Sequence, residues 1–96
     1  MAHSQAVAFG DLLFPTKGAA RHFLREMLNR YRPGDSVSMS DQKILGYALL
    51  RHPEAQTKIG IGVAGFEVHS AEYGTQCFWV RRPDGTLERF SYGSCL

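Results

Sequence analysis

The sequence predicts an α+β fold: a short N-terminal strand, two helices, then a three-stranded antiparallel meander with the helices packed on one sheet face. Three observations predict it. Apolar residues recur at helical spacing in residues 16–31 and again from Ser40 to His52. Strand-forming runs follow at GFEVHS (65–70), TQCFWVRR (75–82) and TLERFSY (86–92). Asp84-Gly85 divides the last two runs and is a strong hairpin turn. No linker, repeat or low-complexity tract interrupts the order, so residues 1–96 read as one domain whose residues 1–5, His3 included, form a mobile terminus.

Each element has its own grounds. VAFGDLLF (7–14) is a short strand or turn that runs into Pro15. Thr16 is placed to cap a helix through its side-chain oxygen. In TKGAARHFLREMLNRY (16–31), Ala20, Phe23, Leu24, Met27, Leu28 and Tyr31 fall on one face, and Pro33-Gly34 ends the helix. The second helix takes Ser40 as N-cap and Asp41 in its first turn, where a negative charge suits the macrodipole. Ile44, Leu45, Ala48 and Leu49 form its apolar face, and Pro53 stops it. Tyr47 and Leu50 widen that face, which predicts a well-buried helix. Gly46 sits mid-helix at a penalty of roughly 1 kcal/mol relative to Ala, which predicts a close helix contact at that point.

Within KIGIGVAGFEV (58–68), Gly60, Gly62 and Gly65 spell G-x-G-x-x-G, the pattern of a dinucleotide-phosphate loop. That loop needs a strand before it and a helix after it. Here the order is reversed, with a helix before the glycines and a strand after them. A kinase-type glycine loop has its Val two positions after the last Gly, whereas Val68 follows Gly65 by three. The glycines therefore read as structural: they permit positive φ and close backbone approach where a helix hands over to a sheet.

Composition narrows the function. Apolar residues make up 44% and charged residues 21%, which fits a globular domain and excludes a disordered one. No apolar run is long enough to cross a bilayer, and the N-terminus lacks a signal-peptide pattern, so a cytoplasmic protein without a membrane partner is expected. Two cysteines, Cys77 and Cys95, are too few for a disulfide scaffold or a four-thiolate zinc site. The formal net charge of +2 permits nucleic-acid binding without demanding it.

Three places can carry chemistry. On a helical wheel starting at Lys17, Arg21 and Arg25 lie at about 40° and 80°, and Arg32 near 60° if the helix reaches it. This acid-free flank suits a phosphate backbone; its plain alternative is a solvated flank whose arginine stems cover the core edge. In the hairpin, a two-residue loop sets Trp79 opposite Phe90, Val80 opposite Arg89 and Arg81 opposite Glu88. Trp79, Phe90 and Tyr92 then share one face, and Phe78, Arg82 and Arg89 the other. An open Trp79 and Tyr92 face would stack unpaired bases. The preferred arrangement turns those rings toward the helices, leaving Arg82 and Arg89 outward beside Phe78. Third, His69, Cys77 and Cys95, with His22 or His52, have no metal-ligand spacing, and no carboxylate pair or Cys-His constellation argues for catalysis. No metal, cofactor or catalytic residue is expected.

The ordered set FPTKGAAR (14–21), MLNRYRPGD (27–35), RHPEA (51–55), KIGIG (58–62), FEV (66–68), YGTQCFWVRRPDG (73–85) and FSYGSCL (90–96) resembles the DCL family, named after "defective chloroplasts and leaves". It covers nearly the whole chain, which looks like a small free-standing member of bacterial or phage type. Ser94 stands where the family pattern usually has a Lys before the final Cys. The resemblance implies RNA metabolism or transcription: plant members resemble factors for chloroplast ribosomal RNA maturation, and a similar domain ends the largest subunit of plant-specific RNA polymerases. It implies no catalytic residues. The expected function is a small non-catalytic RNA-binding domain, with Lys17, Arg21, Arg25, Arg32, Arg82 and Arg89 on phosphates and Phe78, Trp79 or Tyr92 under bases. The alternative is a domain that docks on a polymerase- or ribosome-associated protein.

Overall fold

The computed structural model describes residues 6–96; the terminus expected to be mobile, residues 1–5, lies outside them. The α+β order follows the sequence, with one strand and one helix added. Val7–Phe9 (β1) and Leu12–Phe14 (β2) pair as a two-stranded antiparallel hairpin, where the sequence suggested one short strand or turn. The helices are α1 (Lys17–Asn29), α2 (Met39–Leu50) and the short α3 (Ala55–Ile59), which forms just beyond Pro53. The meander follows in sheet order β3 (Gly65–Ser70), β4 (Gln76–Arg81) and β5 (Leu87–Phe90). Contacts run from α1 to β4, from α2 to β3 and from α3 to β5, while the N-terminal hairpin rests on α1 and α2.

Helix starts are set by side-chain caps. Thr16 Oγ1 accepts from Ala19 N at 3.0 Å, the cap the sequence predicts. At α2 the cap is Ser38, not Ser40: Ser38 Oγ accepts from Asp41 N at 3.3 Å. The earlier start follows from Tyr31, whose hydroxyl accepts from Ser38 N at 3.0 Å and donates to Asp41 Oδ2 at 2.6 Å. Arg30 Nη2 donates to the same carboxylate oxygen at 2.8 Å. Asp41 is buried, so this cluster locks the end of α1 to the start of α2.

Ala20, Leu24, Met27 and Leu28 of α1 meet Leu45, Ala48 and Leu49 of α2 in one buried cluster. The rest of α2 departs from expectation. Met39, Tyr47 and Leu50 are exposed, so the helix buries one face only. A Cβ at Gly46 would meet nothing within 4 Å, so no close helix contact explains this glycine.

The largest correction is the β4–β5 register. Phe78 pairs with Phe90, Trp79 with Arg89 and Val80 with Glu88, one residue away from the two-residue-loop alignment. The loop has an extra residue. Gly85 N donates to Arg82 O at 2.9 Å, closing a turn with Pro83 at its second position, and Gly85 follows at φ 87°. Arg82 N then reaches Thr86 O at 2.9 Å. Because side chains alternate, a slip of one residue exchanges the faces. Phe66, Val68, Phe78, Val80 and Phe90 point inward, while Trp79 leaves the face of Phe90 and points outward with Arg89. Tyr92, expected at a strand end, begins a 3-10 turn over Tyr92–Cys95.

The outer edge of β3 is covered rather than free. Val37 N donates to Phe66 O at 2.9 Å, and Val68 N donates to Asp35 O at 2.9 Å. The glycine loop is structural in the way its sequence context indicates. Gly60 and Gly62 have φ of 57° and 133° between α3 and β3, and Gly65 leaves room for the Arg81 guanidinium across the strand.

Two stability changes are expected. Gly46→Ala should stabilise the protein by about 1 kcal/mol, since the helix gains propensity with open space for the methyl; an unchanged or lower urea midpoint would contradict this. Asp41→Ala should destabilise it by about 1–3 kcal/mol by stranding the Tyr31 hydroxyl and the Arg30 guanidinium, read from the same midpoint.

Candidate nucleic-acid interface

The basic row is built by the capping of α1. With Thr16 fixing the start and the apolar face turned inward, Lys17, Arg21 and Arg25 run along one edge of that face and all three are exposed. Arg32 does not join them. The helix ends at Asn29, and Arg32 opens a turn in which its amide donates to Asp35 Oδ2 at 2.8 Å. Its side chain is exposed but off the row.

Most other cations are matched. Arg30 pairs with Asp41, Lys58 with Glu88, Arg81 with Glu67 and Arg89 with Glu72. Arg51 Nε donates to Cys95 O at 2.8 Å. Arg82, expected to face outward, instead donates through Nη2 to Thr57 O and Lys58 O at 2.9 and 3.0 Å, and so ties the end of α3 to the sheet. Among the described residues, Lys17, Arg21 and Arg25 have no carboxylate partner, and neither do the exposed Arg32 and Lys43, which lie off the row.

The outer sheet face carries Glu67, His69, Trp79, Arg81 and Arg89. Glu67 Oε1 lies 2.8 Å from His69 Nε2, and Oε2 lies 3.3 Å from Arg81 Nε without hydrogen-bond alignment. The His69 ring meets the Trp79 ring edge-on at 5.9 Å. Trp79 is half-buried, and its Nε1 has no partner among the described residues. Arg89 Nη1 donates to both Glu72 oxygens, at 3.0 and 3.3 Å. The Glu72 backbone amide and then Arg89 hold the Glu72 carboxyl below its ordinary range. Phe78 cannot stack on a base: it is 0% exposed under Phe90, with ring centroids 6.0 Å apart. Tyr92 is half-buried, edge-on to Phe78 at 6.4 Å.

Two grooves meet beside the β3–β4 turn. One, of about 590 Å³, runs from Arg25 and Asn29 to Gly74, Thr75, Gln76 and Tyr92. The other, of about 280 Å³, continues past Thr75, Gln76 and Tyr92 to Cys77, Ser91 and Arg89. Sequence reasoning missed Tyr73, which sits in the β3–β4 turn beside the groove-lining Gly74, 100% exposed and at φ 59°. The available signal was Tyr-Gly between two strands, at a turn where Asn-Gly is ordinary.

No group of three His, Cys, Asp or Glu side chains among the described residues is arranged to hold a metal ion. His69 is engaged by Glu67, and burial pushes the Cys77 thiol up and the Cys95 thiol up to about 11.

A protein-family model described as "Protein of unknown function (DUF3223)" matches residues 25–96. The chain belongs to the DUF3223 family. This DUF3223 chain is similar over its whole length to an uncharacterized protein from Rhodospirillum rubrum solved by solution NMR, with 54% identity, a TM-score of 0.91 and 92% of that chain covered. It is 36% identical over 74 residues to DNA-directed RNA polymerase IV subunit 1 of Arabidopsis thaliana, and 35% identical over 69 residues to RNA polymerase V subunit 1 of the same plant. Those stretches are 76% and 69% of this chain, but the chain spans only 5% and 4% of the two subunits' length. The similarity is therefore to a short segment of each RNA polymerase subunit. The family match includes Arg25, Tyr73, Trp79, Arg89 and Tyr92, and begins after Lys17 and Arg21. No helix among the described residues is long and apolar enough to cross a membrane.

The thiols give a direct check on the packing of the C-terminus. In the native protein at mildly alkaline pH, Cys95 should resist Ellman's reagent and react only in denaturant, because a raised pKa leaves it a thiol. Rapid native reaction of both cysteines would contradict the packing.

Proposed function

We propose that this DUF3223 chain is a small non-catalytic nucleic-acid-binding domain, selective for RNA, that works in RNA processing or transcription in the cytoplasm. In this proposal it is a relative of the DCL domains. The observation that carries it is the row Lys17, Arg21 and Arg25: exposed, on one helix flank, and unpaired among the described residues while most other cations are neutralised. Unneutralised cations in a row suit the repeating charge of a nucleic-acid backbone. The similarity to segments of RNA polymerase IV and V subunit 1 supports a setting in transcription. Two free cysteines fit a reducing compartment.

One observation favours a second role. The exposed Met39, Tyr47 and Leu50 lie on one side of α2, and apolar side chains open to water suit contact with a polymerase- or ribosome-associated protein.

Fluorescence anisotropy with labelled single-stranded RNA, duplex RNA and duplex DNA, titrated from low to physiological salt, tests the first role. RNA should bind best, with affinity falling steeply as salt rises. Arg21→Ala and Arg25→Ala should each weaken binding and flatten the log–log salt slope by about 0.7 on single strands. Absence of binding, or binding indifferent to salt, would remove the nucleic-acid role and leave the α2 face as the site to pursue.

A further inference from the structure

Tyr73 has no role inside the protein. Its ring is fully exposed, and its backbone sits in the left-handed region at φ 59°, ψ 35°. That conformation is unfavourable for a bulky L-residue, and Asn or Gly occupies it more readily. The strain is held in place by a rigid turn. Ala71 N donates to Thr75 O at 2.8 Å, Thr75 N to Glu72 O at 3.2 Å, and Thr75 Oγ1 to the same oxygen at 2.6 Å. Arg89 fastens Glu72 from β5. A strained, exposed aromatic on a rigid base is the form that a preorganised ligand contact takes.

Its surroundings say which ligand. Gly74 and Thr75 line the groove that begins at Arg25, the last cation of the α1 row, and Tyr92 forms part of the same wall. Gln76 Nε2 donates to Leu28 O and Tyr31 O at 2.7 and 2.8 Å, which orients the amide and leaves its Oε1 without a donor among the described residues. The groove volume of about 590 Å³ is in the range of small-molecule sites. A cation, a half-buried tyrosine, a fixed acceptor and a free tyrosine ring together suit a nucleotide whose base has left the stack.

We propose that this groove takes one unpaired nucleotide of single-stranded RNA, with the base stacked by Tyr73 beside Tyr92 and its phosphate near Arg25. The proposal rests on the nucleic-acid role above and adds the strandedness and the stacking residue. Bases within a duplex are already stacked and cannot enter, so the site discriminates against paired RNA.

The test uses the full chain with a labelled oligouridine strand and a duplex RNA, at fixed salt and across a salt series. Tyr73→Ala should weaken single-strand binding at least about fivefold, with the salt slope and duplex binding unchanged, and Tyr73→Phe should bind as the native chain does. Tyr73→Asn should weaken binding while raising the thermal midpoint, since Asn relieves the left-handed strain. In NMR titrations with the same strand, the Gly74, Thr75 and Gln76 amides should shift. If Tyr73→Ala binds single strands like the native chain while the steep salt slope persists, the stacking site is wrong and the phosphate row stands. If the native chain binds no nucleic acid, both fall. A fall in the thermal midpoint of Tyr73→Asn would assign Tyr73 to the fold and overturn the proposal.

Discussion

Phe78 lies opposite Phe90, and most of the surface follows from that pairing. The two rings stack at 6.0 Å, and Phe66 meets Phe90 edge-on at 5.8 Å, so three aromatic side chains close the inner face of the sheet against the helices. The alternative register would bring Trp79 into that layer and expel a phenylalanine. Alternation leaves no intermediate arrangement. The inward rings therefore send Trp79 and Arg89 to the outer face, where Arg89 can anchor Glu72 and the turn that carries Tyr73.

The helices are joined to this sheet by side chains that satisfy helix-end carbonyls. Gln76 of β4 donates to Leu28 O and Tyr31 O at the end of α1, and Arg82 donates to Thr57 O and Lys58 O at the end of α3. Carbonyls of the last turn lack the regular intrahelical partner, so each tie engages helix-end acceptors and fixes a helix position together. The Asp41 cluster adds a third tie between α1 and α2. The donors committed in this way are taken up by the fold and not by a ligand.

Among the cations left uncommitted, which also include Arg32 and Lys43, three form a row. Lys17, Arg21 and Arg25 line one flank, and Arg25 opens the groove that runs to Gly74, the residue after Tyr73. An ion-paired arginine gives little to a phosphate contact unless its own partner is displaced, whereas an unpaired one exchanges only water and counterions. The same distinction separates Arg89 and Arg82 from the α1 row, although all are arginines in a basic sequence. Polymerase subunits of Arabidopsis thaliana carry a related segment, so a domain of this size can be one component of a much longer chain.

Local rules made much of this protein legible. The apolar periodicity of α1, the Thr16 cap, the three strand runs and the conformational task of Gly60 and Gly62 depend on neighbours in sequence, and the structure places them where those rules do. The exposed row Lys17, Arg21 and Arg25 was legible for the same reason, because a helical wheel is a local property. Decisions that needed distant partners were not. Ser38 caps α2 because Tyr31 reaches across from α1, the hairpin register depends on which ring fits against Phe66, and Arg82 turned inward because α3 offers it two carbonyls. Gly46, read as a packing glycine, lies in open space, and only the tertiary neighbourhood reveals that. The sequence by itself determined the two long helices, the three meander strands and which helix flank is basic, because those depend on backbone propensity and periodicity. The tertiary structure alone decided which face of the sheet is open and which cations are free, because both depend on side chains brought together from opposite ends of the chain.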